Sequence, residues 1–279
     1  MRVLVVTAVP VERDAVTRAF GGTDATLALP GAELHRSGAF DVLAGGAGPA
    51  AAAAAAAFAL ATAPASAPQP YDTSASAPQP YENTPASAPP PYEAPAPTPQ
   101  PYGLVVSAGI GGGFAPAAPL GSLVVASDIV AADLGAETPD GFLPVTALGF
   151  GRDRFTPPPA LVRKVAAATG AAPGPVLTVS TVTGTAARTA ALLAAHPGAL
   201  AEAMEGFGVA EAAGRAGVPV LELRAVSNTV GPRDRGAWRI GDALAALTEA
   251  FGKAAPVLEG WNSHEDLEGW NRHDDRHGR

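Results

Sequence analysis

Cysteine is absent from this chain of 279 residues, which excludes a disulfide framework, a thiolate nucleophile and a cysteine metal site. Charge is scarce, at 16% of residues, and tilted to one sign: 26 Asp and Glu against 18 Lys and Arg leave a formal charge of −8. A nucleic-acid surface needs a basic patch, so that balance argues against one. No run of about 18 uncharged apolar residues suggests a membrane helix, since the Ala50 to Ala63 run is shorter and mostly alanine. The four apolar residues Val3 to Val6 after Met1-Arg2 are too few for a secretory leader. The expectation is a soluble cytoplasmic protein that partners neither nucleic acid nor membrane. Apolar residues still make up 47%, enough to bury a sizeable core.

What is present alternates between short apolar runs and helical stretches. Met1–Thr7 reads as a buried strand, and Pro10 opens a helix that Gly21-Gly22 ends near Phe20. Short strands are predicted at Thr26–Leu29, Leu34–Ser37 and Phe40–Leu43. The last empties into Gly45-Gly46-Ala47-Gly48, and an Ala-rich helix runs from Pro49 to about Ala63. Leu104–Ala108 reads as a strand followed by a glycine turn, Gly109 to Gly113. Another strand covers Leu123–Val130, and 131–158 is loop-rich. A helix at Leu161–Thr169, a strand at Val176–Ser180 with polar residues to Thr185, and a helix at Ala186–Ala195 follow. Met204-Glu205 opens a small-residue helix that runs out near Gly214 to Gly217. Val218–Ser227 is then a strand ending in Ser227-Asn228, and Ala237–Leu258 is the closing helix. This alternation predicts an α/β fold: a single domain with a mixed, mostly parallel central sheet flanked by helices.

Two segments break the pattern. Residues 64–102 carry SAPQPY-type repeats with tyrosines at 71, 81, 92 and 102, a composition for polyproline II or disorder in a surface insertion. A LEGWN motif repeats from Leu258 onward, and residues 259–279 hold His264, His273 and His277 among acids. A solvated tail is the preferred reading there over a weak metal site. The domain is therefore expected to span 1–258, interrupted at 64–102.

Glu12 and Glu205 both fall at strand-to-helix crossings. Each acid could simply favour its helix dipole. Their equivalent placement, with the polar pair Ser227-Asn228 ending a strand, directs all of them to one crevice at the carboxyl edge of the sheet. Ile110-Gly111-Gly112 lies on the same edge, where missing side chains would let backbone amides approach a sugar or base. Gly46-x-Gly48-x-x-Ala51 formally matches a dinucleotide fingerprint. The acid needed about 20 residues later falls in the proline-rich segment, so a tight packing turn is preferred.

Five blocks taken in order carry a resemblance: VVTAVPVERDAV at 5–16, SAGIGGGFAP at 107–116, VSTVTGTAAR at 179–188, AEAMEGFGVA at 201–210 and RAVSNTVGPR at 224–233. Together they resemble the nucleoside phosphorylase superfamily, in its hydrolase branch around methylthioadenosine/S-adenosylhomocysteine nucleosidase. Within that branch the likeness is to members that serve the alternative menaquinone pathway. The resemblance covers about residues 1–63 and 103–256. It implies that Glu12 orients and deprotonates the attacking water, and that Met204 and Glu205 pack on the ribose and grip its hydroxyls. It further implies that Ile110, Gly111 and Gly112 line sugar and base, that Gly184 and Thr185 recognise the purine, and that Arg224 and Ser227 belong to the base-binding segment. A homo-oligomer, a dimer or higher, is implied as well, with a nucleoside and water as reactants and neither metal nor organic cofactor.

Asn228 departs from the adenine-specific pattern, which has Asp there. A neutral amide offers N–H donors and cannot protonate a leaving base. The N7 and O6 of hypoxanthine or guanine are adjacent acceptors that an amide NH₂ satisfies, so a 6-oxopurine is expected. Phosphorylases of the superfamily place arginines on phosphate. Leu104–Ser107 has none, and Glu12 would repel the anion. Water is therefore the expected nucleophile, with Arg13 as the one possible objection. The substrate's 5′ extension bears a benzoate, for which Arg152, Arg154, Arg233, Arg235 and Arg239 are candidates. The competing readings are a nucleosidase or phosphorylase acting on inosine or methylthioadenosine, and a non-catalytic nucleoside-binding protein.

Overall fold

The computed structural model describes residues 1–62, 102–139 and 141–261. The expectations for most of the proline-rich segment and for the histidine-bearing tail lie outside the described residues. In chain order the elements are β1 (Arg2–Thr7), α1 (Pro10–Ala19), β2 (Ala25–Leu29), β3 (Ala32–Ser37), β4 (Phe40–Ala44) and α2 (Pro49–Thr62). Next come β5 (Tyr102–Gly113), β6 (Leu123–Ala131), β7 (Gly135–Thr138), β8 (Gly141–Pro144), β9 (Arg154–Phe155) and α3 (Pro159–Thr169). The chain closes with β10 (Ala172–Thr178), α4 (Ala186–Ala195), β11 (Ala201–Ala203), α5 (Gly206–Arg215), β12 (Val220–Thr229) and α6 (Ile240–Glu259). Among the described residues, no helix is long and apolar enough to cross a membrane.

One mixed sheet runs β11-β10-β6-β12-β5-β1-β4-β3-β2, with β9 on β6 and a further pairing of β11 with β5. Its central strands, β12, β5, β1 and β4, pair in parallel. Their carboxyl ends therefore open on one edge, where crossings to helices can present side chains to a common crevice. Alternation along each strand divides the core. Val3 and Val5 of β1 join Leu221, Leu223 and Ala225 of β12 in one cluster, packed with Val16 of α1, Leu161 of α3 and Phe251 of α6. Leu4 and Val6 join Val220 and Val226 on the opposite face, against alanines of α2 and Phe207, Val209 and Ala213 of α5. Glu222 and Arg224 are in the same inward row as Val220 and Val226, and both are completely buried.

The structure corrects the reading of residues 109–113 as a turn. They continue β5, paired with β12 on one side and, through Gly112 and Gly113, with β11 on the other. A Cβ on Gly111 would stand 2.8 Å from the carbonyl oxygen of Glu202, and one on Gly112 2.8 Å from Cγ2 of Val230. The glycines serve close strand approach. The loop-rich stretch also holds a hairpin, β7–β8, that its short polar runs did not announce.

Tyr102 is a second correction, because it opens β5 where the sequence suggests the last residue of the insertion. It is buried, and its hydroxyl donates to Asp41 at 2.7 Å. Asp41 also accepts from Arg2 and Arg36. Burial alone would raise the Asp41 carboxyl, but these donors outweigh it and hold the group below the usual carboxylate range. At the other end Trp261 packs into the α3–α6 cluster, so the folded domain continues past Leu258.

Tyr102→Phe removes a donor to a buried, ionised carboxylate and should cost about 1.5–3 kcal/mol. Urea unfolding at neutral pH should show a lower midpoint with an unchanged slope. The difference should narrow in acid as Asp41 protonates; an unchanged midpoint would show that the pair contributes nothing.

Candidate active site

Glu12 is the third residue of α1, and its side chain turns back over the helix start. Oε2 accepts the backbone N–H groups of Ala8 at 3.0 Å and Val9 at 3.2 Å. That satisfies amides a helix start leaves unpaired. Oε1 crosses to β5 and accepts the N–H of Ile110 at 2.9 Å. The residue is 3% exposed. Burial pushes its carboxyl above the ordinary glutamate value, against the opposing pull of Arg224 and the backbone donors.

Glu205 lies between β11 and α5. Its Oε1 accepts from Gly48 N–H at 3.2 Å, and its Oε2 from Met204 N–H at 3.3 Å. The glycine motif before α2 thus donates to a carboxylate, with Gly46 and Gly48 at φ of 93° and 91°, values that side chains rarely adopt. α2 and α5 meet closely there, since a Cβ on Gly208 would collide with the carbonyl of Pro49.

Arg224 differs from the sequence expectation of a base-site contact. It is wholly buried and lies beneath the two acids. Nε donates to Oε1 of Glu222 at 2.8 Å, Nη2 donates to Oγ of Ser107 at 3.0 Å, and Nη1 forms an ion pair with Oε2 of Glu205 at 3.3 Å. Nη1 is also close to Glu12: a Cβ on Gly109 would lie 2.6 Å from Glu12 Oε1 and 2.7 Å from Arg224 Nη1. Only glycine fits between them.

The carboxyl end of β12 supplies the polar pair. A bulge between Val226 and Asn228 shifts the register there. The Ser227 hydroxyl is 3.2 Å from the Gly111 carbonyl and 2.9 Å from Asn228 Oδ1, and its single proton serves one at a time. Asn228 Nδ2 donates to the Thr229 carbonyl at 3.2 Å. Pairing both acceptors of a 6-oxopurine therefore requires that contact to be exchanged. Gly112 packs against the same amide, its Cβ position 3.2 Å from Nδ2.

Gly184 and Thr185 sit on the loop from β10 to α4. Thr185 caps α4 by accepting from Arg188 N–H at 3.2 Å, which commits its hydroxyl oxygen to the helix. The loop is anchored by Thr183, whose N–H and hydroxyl both donate to buried Glu202. Gly184 meets the stem of Arg233, 3.7 Å from its Cβ position, and the Arg233 guanidinium lies over Trp238. Of the other arginines, Arg152 and Arg154 are paired with Glu211 and Asp128, while Arg235 is also over Trp238. Arg239 contacts Ser227 through its backbone N–H. Arg13 is held at 2.9 Å by Asp14 and by Glu33 of β3, whereas Glu12 faces β5.

The structure thus joins Glu12 to Ile110 and Glu205 to Arg224 by direct contact, sets the two pairs on either side of Gly109, and brings Gly111, Gly112, Ser227 and Asn228 together at the adjoining strand ends. Gly184 and Thr185 meet the loop after β12 through Arg233. Sequence reasoning missed Glu202 and Glu222. The signal for Glu222 was available, because alternation puts it in line with Val220 and Val226.

Residues 8–260 match the family model of the phosphorylase superfamily. A futalosine hydrolase of Streptomyces coelicolor is 62% identical over 266 residues, which cover 95% of this chain and 100% of the relative. One from Thermus thermophilus is 39% identical over 51% of this chain and 64% of the relative. Among solved structures, a methylthioadenosine/S-adenosylhomocysteine nucleosidase from Colwellia psychrerythraea, in complex with adenine, superimposes with a TM-score of 0.67 at 18% identity, covering 93% of this chain and 95% of its own. The futalosine hydrolase of Helicobacter pylori gives 0.66 at 16% identity, covering 93% and 97%. These two likenesses concern the fold. By family match and by near-complete coverage at high identity, the chain belongs to the phosphorylase superfamily and, within it, to the futalosine hydrolases.

Proposed function

We propose that this protein hydrolyses the N-glycosidic bond of futalosine, releasing hypoxanthine and dehypoxanthine futalosine for menaquinone biosynthesis. The observation that carries the reading is the buried Glu12 carboxylate, held by backbone N–H groups beside Glu205 and Arg224 at the carboxyl edge of the sheet. A base that must take a proton from water works best when its proton affinity is raised, and burial raises that of Glu12.

The reaction runs through cleavage of C1′–N9: the electron pair leaves with the base as a hypoxanthine anion that takes up a proton from solvent, and an oxocarbenium-like sugar remains that the nearby carboxylates stabilise. Met204 and Glu205 hold the ribose, and Ile110, Gly111 and Gly112 border sugar and base. Gly184, Thr185 and Ser227 frame the purine, while the Asn228 amide donates to its N7 and O6. Glu12 takes a proton from water as the oxygen bonds to C1′. Arg224 acts from below the pocket, on the two acids. Arg13, engaged with Asp14 and Glu33, is not placed for a phosphate beside Glu12, which supports water as the nucleophile.

The protein is further proposed to be cytoplasmic and a homo-oligomer; the second reading is supported by exposed apolar side chains near the β7–β8 hairpin, Leu134, Phe142, Leu143, Leu148 and Phe150. The folded unit is proposed to be one domain carrying the proline-rich insertion on its surface.

The assay offers futalosine, inosine and methylthioadenosine, with and without phosphate, and measures free base. Hypoxanthine released from futalosine without phosphate is the expected result. Strict phosphate dependence would establish a phosphorylase, a preference for another nucleoside would change the substrate, and no release from any would leave a binding protein. Asn228→Asp replaces two donors with a carboxylate that repels O6, and should lower kcat/KM on futalosine about tenfold to a hundredfold. Unchanged kinetics would remove Asn228 from base recognition.

A further inference from the structure

Glu222 has no part in the chemistry above, yet it is among the most deeply buried groups of the molecule. Its Oε1 accepts from Arg224 Nε at 2.8 Å, and its Oε2 has no hydrogen-bond partner. Both oxygens lie against Gly206, the first residue of α5, where any Cβ would collide with them. Burial pushes the Glu222 carboxyl above the ordinary glutamate value, while Arg224 and the amino end of the helix favour the charged form.

The neighbours define what that charge does. Arg224 is on the same strand, and Glu205 faces it from the start of α5. Ser107 of β5 and Glu12 of α1 lie beyond Arg224, while β6 brings Val124, Ala126, Ile129 and Ala131 to this face, all apolar. α2, the other helix on this side, has no ionisable residue. One guanidinium therefore pairs with two buried carboxylates, Glu222 and Glu205, and acts through space on a third, Glu12; its shortest carboxylate contact goes to Glu222, which takes no part in the chemistry.

We propose that Glu222 is a positioning residue for hydrolysis: it fixes Arg224 as its own counter-ion, so that Arg224 pairs with Glu205 and stands next to Glu12 without neutralising either. This rests on the assignment of Glu12 as the base. Were Arg224 free to turn fully upon Glu12, it would stabilise the ionised carboxylate and weaken it as a base. Were Arg224 absent, two facing acids would repel.

Glu222→Gln keeps the shape and removes the charge. Its positive partner then acts on Glu12 uncompensated, which lowers the proton affinity of Glu12. The acid limb of kcat/KM for futalosine should move to lower pH by about one unit, with kcat on the plateau reduced and KM raised as Glu205 is drawn to Arg224. Glu222→Asp, which keeps the charge, should return the limb towards the wild-type position. An unmoved limb, or one shifted upward, overturns the proposal. Should Glu222→Gln lose its far-UV circular dichroism, Gly206→Ala displaces the same carboxylate from the helix side and carries the same expected shift and the same contrary result. Glu12→Gln, run in parallel, separates the two levels. Activity retained in that variant would overturn the base assignment itself, whereas an inactive Glu12→Gln with an unmoved Glu222→Gln limb overturns the role of Glu222 alone.

Discussion

The guanidinium of Arg224, shut off from water between β12 and α5, is the interaction on which the rest of the site depends. It is bound or adjacent to Glu222, Glu205 and Glu12, each of which is buried. Charges so placed interact far more strongly than at a surface. Removing one partner of a buried pair typically costs about 3–5 kcal/mol, because the other is left uncompensated. The network excludes side chains from Gly109 and Gly206, and Gly48 donates to it from an adjacent turn. Three separate glycine positions and two strand-to-helix crossings are thereby tied to one cation.

This constraint places one buried cation beside two acids that face one crevice. Backbone N–H groups take most of the remaining carboxylate lone pairs: Ala8, Val9 and Ile110 on Glu12, Gly48 and Met204 on Glu205. Such donors belong to the sheet edge and the helix starts, so the acids are fixed before a substrate arrives. Preorganised polar groups of this kind stabilise developing charge without reorganising at the moment of reaction. The same parallel edge that supplies the donors supplies Asn228, one strand end away.

Much of this was legible in the sequence. Short apolar runs gave the strands, Pro10 and Pro49 marked helix starts, and acids at equivalent crossings singled out Glu12 and Glu205. Less visible was anything set by contacts distant along the chain. Gly109 to Gly113 looks like a turn because glycine usually makes one; its place inside β5 follows from the approach of β11, some ninety residues later. Tyr102 carries the same SAPQPY-like signature as its repeats, and only its bond to Asp41 distinguishes it. Arg224 resembles a substrate ligand by position in its motif, but its depth depends on α5 covering it. Glu222 was legible and overlooked: a charged residue in an inward row of β12 has to find a buried partner.

The pH dependence of wild-type kcat/KM for futalosine tests the central claim most directly. Glu12 must be ionised to accept a proton from water, and burial raises its carboxyl above the ordinary glutamate value. Activity should therefore fall, as pH is lowered, at a pH above that of an unperturbed glutamate, with one proton taken up on the free enzyme. An acid limb at or below the ordinary glutamate value would contradict a buried, raised Glu12 as the base.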